Sequence, residues 1–469
     1  MEMSGLPQVL AEELARILTD ARARTLDLVS DLTDEQMMGP RVNIVNPPLW
    51  EIGHVAWSQE FWTLRHLHNQ TPMVEGGDAL YNSTEVIHNT RWDLQLLSRK
   101  RVLSYMQNTL DRVIDGLSSQ KLSSGDTYFH RLVTIHEDMH DEAIAYTRQT
   151  LGYPPPKLTI TPTELSSNVK QGGPLPGDVE IPGGTFMLGA TTDFSFVFDN
   201  EKWAHPVEVR PFRIARAPVT NKEFVAFVEE GGYRRREFWS EEGWRWLESG
   251  GTPVLDHSFS AFWEGKGQGS EASRSPERLE HPVYWEQQSG GRWLQRVFDT
   301  HMPLRDHLPI IHVNWYEVEA YCRWAGRRLP TEVEWEIAAS AEPTADGHEI
   351  TGRKRRFPWG DEPPTPDRAN LDWHAIGCIE VGALPSGDSA FGCRQMIGNV
   401  WEWTSTEFQP FPGFVIDPYK EYSKPWFGTH KVLRGGCWTT RSRLIRNTWR
   451  NFYTPDRRDV WAGFRTCAK

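Results

Sequence analysis

Leu132-Val133-Thr134-Ile135-His136-Glu137-Asp138-Met139-His140-Asp141-Glu142-Ala143-Ile144-Ala145-Tyr146 decides how the first third of the chain is read. Apolar residues recur at Leu132, Ile135, Met139, Ala143 and Tyr146, a helical spacing that predicts a helix over 127–151. Residues four apart share a helix face, so His136 and His140 can hold one metal ion, and the adjacent apolar stripe places them toward an interior. Upstream, similar spacing predicts helices from Glu12 to Leu32, from an Asn46 cap through Pro47 and Pro48 to about His68, and from Ser98 to Leu117. Four helices with longish connections predict a bundle.

A third histidine gives the pair its meaning. His54 lies in Trp50-Glu51-Ile52-Gly53-His54-Val55-Ala56-Trp57, on the face of Trp50, Trp57 and Phe61. One reading makes it a core histidine bonded to a backbone carbonyl. The other sets it across a bundle from His136 and His140, where three neutral imidazoles leave coordination positions open and suit Zn, Fe or Cu. HExxH also arises by chance on surface helices. A zinc protease needs Glu137 as general base and a peptide cleft; no such cleft is visible, and no third ligand follows His140 at the usual spacings.

Beyond residue 150 the composition changes. Residues 1–150 hold 12 of the 70 Gly and Pro residues and 4 of the 22 Trp; the other 319 residues hold the remainder, which predicts a helical front and a loop-rich back. Tyr153-Pro154-Pro155-Pro156 and the polar stretch to Gly177 read as a linker, so the expected division is 1–152, a linker at 153–177, and a second domain at 178–469. Short helices are expected near Asn221–Val228 and Trp315–Ala325 among short strands. A net charge of −12 without basic runs argues against nucleic acid or an anionic membrane as partner. No apolar run approaches a membrane span, no signal peptide is visible, and five cysteines without CxxC argue against a disulfide scaffold, so a cytoplasmic protein is expected.

The runs Ile181-Pro182-Gly183-Gly184-Thr185-Phe186, Pro218-Val219-Thr220-Asn221, Arg327-Arg328-Leu329-Pro330-Thr331-Glu332, Gly398-Asn399-Val400-Trp401-Glu402-Trp403 and Leu433-Arg434-Gly435-Gly436, with Gly463-Phe464-Arg465, resemble the formylglycine-generating-enzyme (sulfatase-modifying-factor) fold. The resemblance implies an α+β domain of C-type-lectin-like character with little regular secondary structure. The copper-binding cysteine pair of the formylglycine oxidases has no counterpart between Trp438 and Thr466, which argues against that activity. The front resembles the DinB-like four-helix bundle, and the fusion resembles the ergothioneine-type sulfoxide synthases: non-heme Fe(II) enzymes that use O₂ to join a sulfur donor to the imidazole of hercynine (trimethylhistidine). The resemblance implies an α + β multidomain enzyme with His54, His136 and His140 as iron ligands, Tyr419 as first and Tyr422 as second candidate proton donor, and Asn451 and Phe452 against hercynine.

Relatives that use γ-glutamylcysteine hold its charged ends with arginines and an aspartate. Here the aspartate's place is Tyr453 and one arginine's place is His88, with Arg91 and Arg457 retained. Loss of the carboxylate deletes a partner for an ammonium group and favours a donor with fewer charges, such as the selenosugar of the selenoneine synthases. The Asn46–Trp57 segment also looks closer to that branch. The expected donor is a selenosugar; the alternatives are a thiol, cysteine or γ-glutamylcysteine, and, from another class, a non-enzymatic lectin-like binding module.

Overall fold

Helix α1 (Leu6–Val29) buries Leu14, Leu18, Ala21 and Leu28 along one face, as its apolar spacing requires. The computed structural model describes residues 6–119, 122–159, 171–251 and 278–469. It forms two compact units, Met1–Thr161 with Phe298–Thr300, and Pro162–Val297 with His301–Lys469.

The first unit continues through α2 (Asp34–Met38), α3 (Pro48–Gln59), α4 (Gly77–Tyr81), α5 (Arg99–Ser119) and α6 (Ser124–Leu151). Both α1 and α3 pack on both α5 and α6, which makes these four a bundle. The start of α6 lies three residues before the expected Thr127, because Ser123 closes a capping box: its hydroxyl accepts from Asp126 N at 3.2 Å and its N–H donates to Asp126 Oδ2 at 2.8 Å. Asn46 does not cap α3. The N-cap is Pro47, and Asn46 Oδ1 instead accepts from Arg91 Nη1. After Gln59 the helix widens into a π-turn over Glu60–His66, where buried Glu60 accepts from Tyr105 Oη and from Met73 N.

The most buried face of α6 is not the apolar stripe. Met139, Ala143 and Tyr146 are only half-buried, whereas Glu137 and Asp141 are buried. Arg22 on α1 reaches this face: Nε donates to Glu137 Oε1 at 2.7 Å, and Nη2 donates to Glu137 Oε2 at 3.2 Å and to Gln59 Oε1 at 2.8 Å. Thr25 Oγ1 donates to Asp141 Oδ1 at 2.7 Å. Here the bundle interior is ionic, so hydrophobicity alone misplaces the core face.

The second unit holds two four-stranded sheets. One is ordered Asp178–Ile181, Phe212–Ala215, Cys467–Ala468, Arg327–Arg328; the other Asn451–Tyr453, Lys431–Arg434, Trp401–Glu407, Ala462–Gly463. Helices Asn221–Glu229 and Trp315–Trp324 fall where expected, and Glu332–Ser340 packs its Trp335 and Ile337 into the core with Ile181, Phe186 and Ile214. Motif residues explain the cohesion. Glu402 accepts from Arg465 Nε at 2.6 Å, Arg465 Nη2 at 2.7 Å and Trp335 Nε1 at 2.9 Å, all three residues being buried. Gly435 stands at φ +97° with Met396 O only 2.5 Å from where a Cβ would lie, so glycine is required. None of the five cysteines forms a disulfide, and among the described residues no helix is long and apolar enough to cross a membrane.

Two histidines of this unit are held neutral. Burial pushes His312 down to about 3, between Tyr284 and Trp461 at ring distances of 4.9 and 4.7 Å. Burial, then the Arg457 charge, pushes His430 down to about 3. Unfolded histidine titrates near ~6.5. Below that value the unfolded chain takes up protons that the folded chain refuses, so stability present above pH ~6.5 drains as pH falls toward the folded values, by up to about 1.4 kcal/mol per pH unit per histidine. The urea midpoint followed by tryptophan fluorescence is expected to fall steadily between pH 7 and pH 5, before most carboxylates titrate. A flat midpoint across that window contradicts neutral burial of these rings.

Candidate metal centre

α3 delivers one histidine and α6 two, and the bundle brings them together. One ring nitrogen from each of His54, His136 and His140 lies within 4.8 Å of the others, and the Nε2 atoms of His136 and His140 are 3.1 Å apart. Their convergence depends on what holds the far ring nitrogens. His54 Nδ1 sits 2.7 Å from the Tyr81 carbonyl and His140 Nδ1 2.5 Å from Glu51 Oε1. Acceptors at Nδ1 make that nitrogen the N–H donor and leave Nε2 with its lone pair toward the cluster.

The Tyr81 carbonyl is itself set in place. Asp78 at the start of α4 accepts from Trp57 Nε1 at 2.7 Å and from Arg65 at 2.6 and 2.9 Å, tying α4 to α3 and the π-turn. A Cβ on Gly53 would lie 2.2 Å from Tyr81 Cε1, so the glycine inside α3 lets the Tyr81 ring pack against that helix. Trp50 stacks on His54 at 4.9 Å and 8°, and the Arg91 guanidinium lies 3.6 Å from the centre of the Trp50 ring.

The electrostatics suit a cation. Burial, then the nearby His140 charge, pushes His54 down to about 3, and the same two causes with His54 hold His136 well below the usual histidine range. Imidazole lone pairs converging from two helices form a donor set that fits Fe(II), Zn or Cu. Glu137, by contrast, is taken up by Arg22 and accepts from Thr25 Oγ1 at 2.9 Å; it ties α6 to α1 and is not available as a protease base.

His88 and Arg91 belong to the same unit. The ring nitrogens of His88 meet Val45 O at 3.0 Å and Asn89 Oδ1 at 3.2 Å, and Arg91 meets Asn46 besides Trp50. Burial pushes the Arg91 guanidinium down to about 10.

In the second unit, strand Asn451–Tyr453 gathers the remaining candidates. Phe452 stacks on Phe408 at 4.0 Å and meets Tyr422 edge-on at 5.6 Å, and Tyr422 meets Tyr419 at 5.9 Å. Asn451 Oδ1 accepts from Phe452 N at 2.9 Å. Burial raises both tyrosines above the usual phenol range, so each keeps its proton. Arg457 lies over the Tyr453 ring at 5.0 Å and donates to Asp459 at 2.6 and 2.7 Å. Sequence reasoning passed over Glu51, Asp459 and His430, whose ring lies 5.9 Å from Phe452. Glu51 stands three residues before His54, and Asp459 two after Arg457, so adjacency was the available signal.

The chain is similar to known proteins along nearly its whole length. The DinB superfamily matches residues 17–144, and the sulfatase-modifying factor enzyme 1-like domain matches residues 162–469. A hercynine oxygenase of Mycobacterium tuberculosis is 37% identical over 97% of this chain and 98% of its own length. One from Mycolicibacterium thermoresistibile is 36% identical over 99% and 96%. The formylglycine-generating enzyme of Streptomyces coelicolor is 32% identical over 62% of this chain and 88% of its own.

Two neighbouring substitutions on α6 are expected to part ways. His136→Ala removes one of the three converging imidazoles and should abolish stoichiometric metal, read by elemental analysis, while the metal-free melting temperature stays near wild type. Glu137→Ala leaves Arg22 charged and buried without its partner and should cost about 3–5 kcal/mol of stability, read by denaturation.

Proposed function

This chain belongs to the hercynine oxygenase family, a DinB-superfamily bundle joined to a sulfatase-modifying-factor domain, and on that premise we propose that it is an iron- and O₂-dependent oxidoreductase that joins a selenosugar to the imidazole of hercynine. The reaction balances as selenol plus imidazole C–H plus O₂ giving hercynyl selenoxide plus water, with the C–Se bond replacing the C–H bond. The observation that carries the reading is the convergence of three imidazole nitrogens inside the bundle, with His54 and His136 held neutral by burial.

His54, His136 and His140 are the residues that would hold Fe(II), and bound iron supplies O₂ reduction and a Lewis-acid site for the selenol. The side chains carry the rest. Phe452, stacked on Phe408, offers an aromatic face for the trimethylammonium group of hercynine, and Asn451 beside it offers an amide. Tyr419 and Tyr422 hold protons at their phenol oxygens, which suits either to donate one as the new bond forms.

The donor preference rests on charge. Arg457 is already neutralised by Asp459, and Arg91 and His88 bond the neutral groups of Asn46, Val45 and Asn89. With Arg457 paired internally and the Tyr453 ring beside it, that position suits a ligand of hydroxyl groups better than the carboxylates and ammonium of γ-glutamylcysteine.

The test is a donor competition. Metal-free protein is loaded with Fe(II) without air, given hercynine and O₂, and offered a selenosugar, γ-glutamylcysteine and cysteine together, with the conjugate read by mass spectrometry. A hercynyl selenoxide with selenium's isotope pattern is expected, and the double substitution His88→Arg, Tyr453→Asp should raise the share of the γ-glutamylcysteine product. A hercynyl sulfoxide as the main wild-type product makes the protein a sulfur enzyme.

A further inference from the structure

Glu51 is neither a candidate ligand nor a substrate contact, yet its position is unusual. It lies on α3, 3% exposed, and Oε1 sits 2.5 Å from Nδ1 of His140 on α6. Its other oxygen, Oε2, is buried with no hydrogen-bond partner among the described residues. A buried carboxylate with one orphaned oxygen is costly to a fold, because a buried acceptor without a partner loses its hydration uncompensated, the more so when charged. Glutamine is nearly the same shape without the charge, so stability alone gives no reason for a carboxylate here.

We infer that Glu51 is a positioning residue for the metal centre: by accepting from His140 Nδ1 it fixes the ring's tautomer and orientation so that Nε2 faces the ion. Two of the three histidines are held by different means. His54 is held by a main-chain carbonyl, which no substitution removes, whereas His140 depends on a single side chain from the opposite helix. The carboxylate also increases electron density on the imidazole, which strengthens the bond from Nε2 to a cation, an effect a neutral amide does not reproduce. Because Glu51 and His54 stand three residues apart on α3, one helix supplies a ligand and the support for another helix's ligand.

This inference rests on the metal reading, and the test separates the two. Metal-free wild type, Glu51→Gln and Glu60→Gln are titrated with Co(II), read by its visible absorption bands, and melted without metal. Glu60 is the control: an equally buried carboxylate of the same bundle that accepts from Tyr105 Oη and Met73 N, with Arg65 at 3.9 Å, and meets no histidine among the described residues. Glu51→Gln should bind Co(II) about 10–100-fold more weakly, with altered bands, while its metal-free melting temperature holds or rises. Glu60→Gln should keep wild-type affinity. Wild-type affinity and bands in Glu51→Gln overturn the inference, as does an affinity loss in Glu51→Gln matched by Glu60→Gln. Wild-type protein that takes up no Co(II) overturns the metal reading and this inference together.

Discussion

Three imidazoles brought together inside a helical bundle repel one another when protonated, and the first unit is organised around that constraint. Burial pushes His54 and His136 below their ordinary values, and the site is built so that their nitrogens have something to do while neutral. Acceptors at the far nitrogen of His54 and His140 turn the near nitrogens inward, leaving a cluster of lone pairs that only a proton or a cation satisfies. Gly53, the α4 clamp through Asp78, and the Trp50–Arg91 stack all act on the helix that carries His54.

The same bundle keeps its other charges in pairs. Arg22 with Glu137 lies one residue along α6 from His136, yet on a different face, because successive helix residues point about 100° apart. Glu137 therefore stiffens the helix without entering the histidine cluster. The HExxH pattern, which in a zinc protease supplies ligands and base together, is divided here into a converging histidine pair on one face and a structural ion pair on another.

The second unit solves a different problem, holding an irregular chain still with little sheet. Buried charge clusters such as Glu402–Arg465–Trp335 and Trp-lined packing take the place of long ladders. That leaves loops to present function, and strand Asn451–Tyr453 at a sheet edge carries aromatic and amide groups into a cluster with Tyr419 and Tyr422. Phenols buried this deeply remain protonated, the state a proton donor requires.

The helices of the bundle and the His136/His140 pair were legible in the residues, since helical spacing and one-turn separation are local properties of a chain, whereas the residues around His54 left it open between a core histidine and a partner of that pair. The motif runs of the second half were legible too, because a glycine at φ +97° or a buried Glu–Arg–Trp cluster tolerates few substitutes. Three things were decided only by tertiary structure. The interior face of α6 is set by Arg22, a residue 115 positions away, rather than by the apolar stripe. Asn46 is claimed by Arg91 instead of capping α3. Glu51 becomes the partner of His140 because two helices distant in sequence cross at that level, and a contact between helices is a property of packing that no spacing along one chain segment encodes.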